Sequence, residues 1–293
     1  MKSWGRAVKR GRCQLSLLIA LLTVCLLLPG PTPAAAEVNA AFYAAVGVVA
    51  ALGASAIGYG LYETKMRPDQ PRLLDGEFYG GAYLGASFAP SQDLSYNNGA
   101  FFNNGITTAT TQKFKVFNNS FATGVVGGIK FGYFFKSIPY LGLEGETNVA
   151  PNRVRAQTRS VSPAVLGSNQ AIMPSKDWIN WTSALHIVGR YGFFKDGEVP
   201  FGRLQPYVGI GPAVVAMYDP EDSAKNFAID AMAGIRFMML KNVSAFVEYK
   251  YNHQFSPEME IHQVVVNNFS GAGIATLSGY DLHRVIFGVT YHW

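Results

Sequence analysis

From Val285 to Trp293 apolar and polar positions alternate without a break. Val285, Phe287, Val289, Tyr291 and Trp293 fall on one face, and Ile286, Gly288, Thr290 and His292 on the other. Period-two alternation with one greasy face predicts a strand with one side in an apolar medium. Short aromatic and Gly-rich stretches with the same period recur from residue 77 onwards. They predict eight strands, at about residues 77–89, 120–135, 140–150, 177–194, 204–218, 226–240, 243–256 and 281–293. Each meets the roughly 9–11 residues that a tilted strand needs to cross the apolar layer of a bilayer.

The connections alternate in length. Lys136–Pro139, Lys195–Arg203 and Lys241–Asn242 are short, 219–225 is intermediate, and 90–119, 151–176 and 257–280 are long. Short turns on one side and longer loops on the other mark an up-and-down barrel. The fold expected for residues 77–293 is therefore all-β, an eight-stranded antiparallel up-and-down transmembrane β-barrel. The strand ends support it. Gly132-Tyr133-Phe134-Phe135-Lys136, Gly192-Phe193-Phe194-Lys195, Phe237-Met238-Met239-Leu240-Lys241 and Tyr291-His292-Trp293 all fall at the short-turn end. Amphipathic rings prefer the headgroup layer, so a belt of aromatics at one level is expected there. Asn97-Asn98-Gly99 and Asn103-Asn104-Gly105 are turn signals that suggest a hairpin within the first long loop. Whether Ile106–Val116 adds a ninth and tenth strand stays open.

With the greasy face outward, the other face is charged. The sixth strand puts Asp230 and Arg236 inside, the seventh Glu248 and Lys250, and the third Glu144 and Glu146. Lys130, His186, Arg190 and Arg284 come from the second, fourth and eighth. A lone buried charge costs several kcal/mol, so these groups must pair. Arg236 can reach Glu248 diagonally, Asp230 can reach Lys250, and Lys130 faces Glu144 or Glu146 according to register. Eight strands enclose an interior just wide enough for side chains to fill. The expected site is thus a packed polar network of Lys130, Glu144, Glu146, Arg190, Asp230, Arg236, Glu248, Lys250 and Arg284. A soluble sandwich would explain the same alternation by exposing the charged face and burying the other.

The amino-terminal residues bear on the compartment. Lys2, Arg6, Lys9, Arg10 and Arg12 precede the apolar run Leu15–Leu28, Pro29 and Gly30 end it, and Ala34-Ala35-Ala36 offers a small-residue cleavage site. Residues 1–36 are expected to be a signal peptide for Sec-dependent export. The chain has 24 Lys+Arg and 19 Asp+Glu, a formal charge of +5. Five basic residues and no acidic one lie in that leader, so the rest is balanced and gives no reason to expect nucleic acid. Cys13 and Cys25 lie there too, which leaves no thiol for a disulfide or a Cys-based metal site. Residues 37–76 form an Ala/Gly-rich apolar segment and a linker broken by Pro68 and Pro71. The apolar part, 38–62, suits a helix whose glycines would permit close packing.

The leader, the eight strands, the aromatic ends, the terminal V-I-F-G-V-T-Y-H-W and the block Lys241–Tyr251 together resemble the small outer-membrane β-barrel family, the OmpA/OmpX/opacity-protein class. The resemblance covers residues 77–293. It implies a bacterial outer-membrane location and partners in outer-membrane lipid, periplasmic chaperones and the barrel-assembly machinery. It also implies that Phe287, Tyr291 and Trp293 form the signal that this machinery reads. Such features specify architecture well and function poorly.

Chemistry is sparse. His253-Gln254-Phe255-Ser256 lacks the His-x-Ser spacing of lipid A deacylases, and Gly271-Ala272-Gly273 follows no strand–helix transition that would make it a phosphate cradle. His253, Glu258, Glu260 and His262 gather near a rim, where such groups more often form a solvated edge than a metal site. No catalytic residue, metal or cofactor is assigned. The favoured function is a non-enzymatic surface barrel, structural or adhesive, contacting an extracellular ligand through loops 90–119, 151–176 and 257–280. A narrow porin-like transport barrel for small or apolar solutes is the alternative, and a lipid-modifying enzyme the third.

Overall fold

The computed structural model describes residues 76–103, 106–110, 113–219, 222–277 and 279–293. The expected signal peptide, the Ala/Gly-rich helix and the linker lie outside the described residues. Among those described there are fifteen strands and no helix. In chain order these are β1 (Glu77–Phe88), β2 (Gln92–Asn103), β3 (Ile106–Thr110), β4 (Phe114–Asn119), β5 (Gly124–Phe134), β6 (Leu141–Val154), β7 (Gln157–Val165) and β8 (Ser168–Met173). There follow β9 (Lys176–Arg190), β10 (Leu204–Tyr218), β11 (Ser223–Met238), β12 (Val243–Gln254), β13 (Glu258–Val266), β14 (Phe269–Leu277) and β15 (Tyr280–His292).

Eight of them close a barrel in the order β1-β15-β12-β11-β10-β9-β6-β5, all neighbours antiparallel. These are the eight strands that alternation predicts, with ends shifted by a few residues. The first and last strands meet along ten Cα pairs from Tyr79–His292 to Phe88–His283. Trp293 extends that seam, donating to the Phe78 carbonyl at 3.0 Å and accepting from the Phe78 amide at 3.2 Å.

Leu84, Ile187, Val208, Phe227, Ile235, Val247 and Phe287 all stand exposed on the outer wall. On the inner wall Lys130, Glu144, Asp230, Lys250 and Arg284 are fully buried. Greasy outside and charged inside is the inverse of a soluble sandwich, and it is the arrangement a bilayer requires. The aromatic belt divides by strand parity. Phe78, Tyr133, Tyr291 and Trp293 cluster on the outer wall at the turn end, with ring centroids 4.3 Å apart for Phe78–Tyr133 and 6.1 Å for Tyr291–Trp293. Phe134 and Tyr207 point inward instead and are buried.

At the turn end Lys241-Asn242 links β11 to β12 tightly, with Leu240 and Val243 bonded backbone to backbone. The longer β9–β10 connection is organised by Asp196, which accepts from the amides of Glu198 at 3.0 Å and Val199 at 2.7 Å and also holds Arg203. The Val199 amide and the Arg203 guanidinium together hold the Asp196 carboxyl below its ordinary range. This support is present above the carboxyl's unfolded pKa and fades as pH falls through the folded one. Asp196→Ala should therefore speed tryptic cutting near Lys195 and Arg203 with the barrel still folded. Unchanged cutting in detergent would show that the turn is held by something else.

The three long loops depart from expectation. They fold into hairpins that form a second, seven-stranded sheet in the order β14-β13-β8-β7-β4-β2-β3. An additional β14–β2 pairing closes six of these strands into a ring. The ninth and tenth strands left open for Ile106–Val116 do exist, but as β3 and β4 in this sheet and not in the barrel wall. The strands flanking Asn104-Gly105 pair as a hairpin, with Asn103 opposite Ile106. Asn97-Asn98-Gly99 is not a turn. It lies inside β2, where the ladder to β14 shifts register. Two hairpin tips touch, because Asn267 donates through Nδ2 to the Leu166 carbonyl at 2.8 Å.

Candidate functional site

Three levels fill the barrel interior. Nearest the turn end, Glu77 accepts from Arg190 Nη1 at 2.9 Å and from Nη2, and lies 2.6 Å from His292 Nδ1. Arg190 also donates to the Pro139 carbonyl at 3.1 Å and to Gln205 at 3.1 Å, and it lies 3.5 Å from the Phe134 ring centroid. Just above, the Arg236 guanidinium sits 4.3 Å from the centroid of Tyr79 and 5.3 Å from that of Tyr207. Aromatic faces carry negative potential, so they stabilise a desolvated cation without a carboxylate.

The middle level is a chain of ion pairs. Lys130 Nζ lies 3.1 Å from Glu144 and 2.7 Å from Glu248, with the Phe246 ring 4.6 Å away. Lys250 joins Glu146 directly, Asp230 at 3.3 Å and Glu248 at 3.9 Å. Asp230 is 3.0 Å from His186 Nε2, accepts from Asn252 at 3.0 Å, and lies 3.6 Å from Arg284. Arg284 in turn donates to Thr182 at 3.0 Å. Tyrosines complete the carboxylates: Tyr79 donates to Glu144 at 2.6 Å, Tyr207 to Glu248 at 2.6 Å, and Tyr83 to Glu146. Seven of the nine residues expected in the network thus form one continuous chain, while Arg190 and Arg236 sit closer to the turn end.

One expected pairing differs, while Lys130 takes Glu144 and Asp230 takes Lys250 as expected. Arg236 is not joined to Glu248. The β11–β12 register sets Arg236 opposite Phe246 and Glu248 opposite Gly234, and Glu248 turns across the lumen to Lys130. Lys130 faces Glu146 in the β5–β6 ladder, yet its ammonium reaches the diagonal Glu144 while Glu146 crosses to Lys250. Closure of the barrel brings opposite walls close enough to compete with ladder neighbours. Glu77, His292 and the three tyrosines join the network beyond the nine residues expected, and His186, expected only as inward, meets Asp230. Parity alone places Glu77, Tyr79 and Tyr83 on one face with the other inward groups, so counting from the seam would have found them.

Five basic groups (Lys130, Arg190, Arg236, Lys250 and Arg284) face five acidic ones (Glu77, Glu144, Glu146, Asp230 and Glu248) across these two levels, so these ten side chains balance in formal charge. Glu144, Glu146 and His186 offer ligand atoms within 4.8 Å of one another. Their carboxylates are already matched by Lys130 and Lys250, so a cation would have to displace two ammonium groups. At the rim, His253 pairs with Asp281 at 2.6 Å. The side chains of Glu260 and His262, named with it as a rim cluster, lie outside the described residues.

The third level is largely apolar, with Asn152, Asn180 and Gln254 buried beside its rings, which the alternation did not foretell. Towards the hairpin end the interior is filled by Phe121, Trp178, Val215, Met217, Tyr280 and Leu282, continuous with Leu94, Tyr96, Phe114, Val116, Met173 and Val264 of the second sheet. Phe121 and Trp178 lie 5.5 Å apart, and Trp178 and Tyr280 6.0 Å. Burial raises the Tyr96 phenol well above its ordinary pKa, as a dry environment should. Of the residues expected to guide assembly, Phe287 is exposed on the outer wall, and Tyr291 and Trp293 stand at its turn end.

Comparison with known proteins adds a family and several likenesses. The family described as outer membrane protein beta-barrel domain matches residues 22–292. No curated protein matches the chain. Among solved structures it is similar to OprG from Pseudomonas aeruginosa, with 11% identity and a TM-score of 0.45 over 74% of this chain and 96% of that one. It is similar to Neisserial surface protein A, with 10% identity and a TM-score of 0.39 over 73% and 96%. For Ail of Yersinia pestis the values are 12% and 0.31 over 74% and 99%.

Proposed function

The chain belongs to the outer membrane protein beta-barrel domain family, and on that premise we propose that it is a non-enzymatic surface barrel of the outer membrane. Its hairpin end faces outward and presents the second sheet to an extracellular ligand or a neighbouring surface. The observation that carries this reading is the interior. An ion-paired layer beneath a close-packed, largely apolar core leaves no spare carboxylate or ammonium to attract a permeant ion. Two filled levels in series suit a scaffold for the hairpins better than a conduit.

The transport alternative draws on one observation, the apolar upper interior, which would suit an apolar solute if it were open. Packed rings fill that level in the present arrangement. Refolded protein in planar bilayers should show no sustained openings. Long-lived openings of uniform large conductance would sink the scaffold reading and favour transport. Export through a cleaved leader, and recognition of Phe287, Tyr291 and Trp293 by the assembly machinery, belong to the same proposal.

A further inference from the structure

On the outer wall, the seam strands β12, β15 and β1 carry a patch that the closed interior does not explain. Register sets Tyr251 opposite His283, and His283 opposite Phe88, so the three side by side form one row facing out. The next row towards the hairpins pairs His253 with Asp281. The rings of Phe88 and His283 stack at 5.7 Å and 9°. The polar atoms are linked in short contacts: Tyr251 donates to Asp281 at 2.8 Å, His253 Nδ1 lies 2.6 Å from Asp281, and the Tyr249 hydroxyl lies 2.6 Å from His283 Nδ1. With Nδ1 of both imidazoles engaged, their Nε2 edges are the ones left to an outside group. Gly279 beside His253 has φ +154, and a Cβ there would stand 3.0 Å from Cε1 and 3.7 Å from Nε2. Glycine therefore keeps that edge uncovered.

Level and neighbours say what could lie there. His283 is ten positions from Trp293, about 34 Å of strand, or roughly 26 Å along the membrane normal at a 40° tilt. The apolar band of such barrels is about 25 Å tall. The patch thus sits where the outer leaflet passes from chains to headgroups. Directly below and beside it, β11 presents Ala231 opposite Tyr251 and Ala233 opposite Tyr249, with Ile210 and Val208 on the other side. Two small residues between taller walls form a shallow track of acyl-chain width.

The geometry points to a seat for one outer-leaflet lipid, its acyl chain along Ala231–Ala233 and a glycosyl headgroup on the Tyr251–His283–Phe88 row. Aromatic faces take the CH faces of a sugar ring. The imidazole Nε2 edges and the second oxygen of Asp281 take its hydroxyls. An anionic phosphate headgroup fits worse, because no Lys or Arg lies among these residues and Asp281 carries a negative charge.

The test is native mass spectrometry of protein released from mixed micelles holding equal amounts of galactosyl diacylglycerol and phosphatidylglycerol. Wild-type protein should retain the galactolipid at least about fivefold better. Tyr251→Leu/His283→Leu, which removes the headgroup row, and Ala231→Leu/Ala233→Leu, which fills the track, should each abolish the preference. All four substitutions face lipid, and folding is checked by the mobility shift on boiling. Equal retention of both lipids by wild type overturns the proposal, as does a preference kept by both variants. Loss in the headgroup variant alone would overturn the placement of the acyl chain.

Discussion

Lys130→Met should cost about 3–5 kcal/mol of stability, the range for removing one partner of a buried ion pair. Methionine fills nearly the same volume but leaves Glu144 and Glu248, both fully buried, without the ammonium that lies 3.1 and 2.7 Å away. The interior layer would also hold one more negative than positive group. Restoring neutrality gives the control. The double variant Lys130→Met/Glu248→Gln should be more stable than Lys130→Met, although it carries more changes, because coupled charges are not additive. Urea unfolding in detergent, followed by the mobility shift on boiling, measures both. A Lys130→Met midpoint indistinguishable from wild type would mean that the layer is hydrated and that the closed interior is wrong.

Trp178→Ala should cost a similar ~3–5 kcal/mol, the range for deleting a buried aromatic. Its consequence should differ in place. Trp178 is among the largest fully buried side chains and joins the barrel's upper interior to the core of the second sheet through Phe121 and Tyr280. Below that level the wall is held by its own ladders and by the ion-paired layer, so the barrel should survive. Protease added to proteoliposomes should then cut the β7–β8 and β13–β14 hairpins, which wild type protects, while the mobility shift on boiling persists. Hairpins as resistant as wild type would show that the second sheet does not rest on this core.

The barrel was legible because its signal is local. Ile229, Ala231, Ala233, Ile235 and Phe237 alternate with Asp230, Met232 and Arg236, and a period of two sends each set to one face whatever the partner strand. The second sheet was hidden because its strands break that period. β2 shifts register against β14 around Asn98-Gly99, β13 against β14 between Ile261 and Val264, and β7 against β8 between Ser160 and Val165. In β2 and β13 the shift moves the buried apolar residues to the other parity, from Leu94 and Tyr96 to Phe101 and from Met259 to Val264, so they look like scattered loop hydrophobics until the hairpins close over one another.

The candidate site divides along the same line. Which residues point inward follows from parity, and the need to pair them follows from the cost of burying a charge. Which partner each takes does not. Lys130 and Glu248 are 118 positions apart, as local sequence neighbours of nothing in common, and meet only across the closed lumen. Arg236 finds rings in place of the carboxylate nearest to it in the hairpin.

The sequence by itself determined the barrel, its strand number, the faces of its wall and the charge-paired character of its interior, because these depend on alternation within single strands. Only the tertiary structure decided the ion-pair partners, the apolar upper core, the ring of hairpins and the outward row at the seam. Those depend on distances across a closed lumen or between strands far apart in the chain, and such distances exist only once the first strand has met the last.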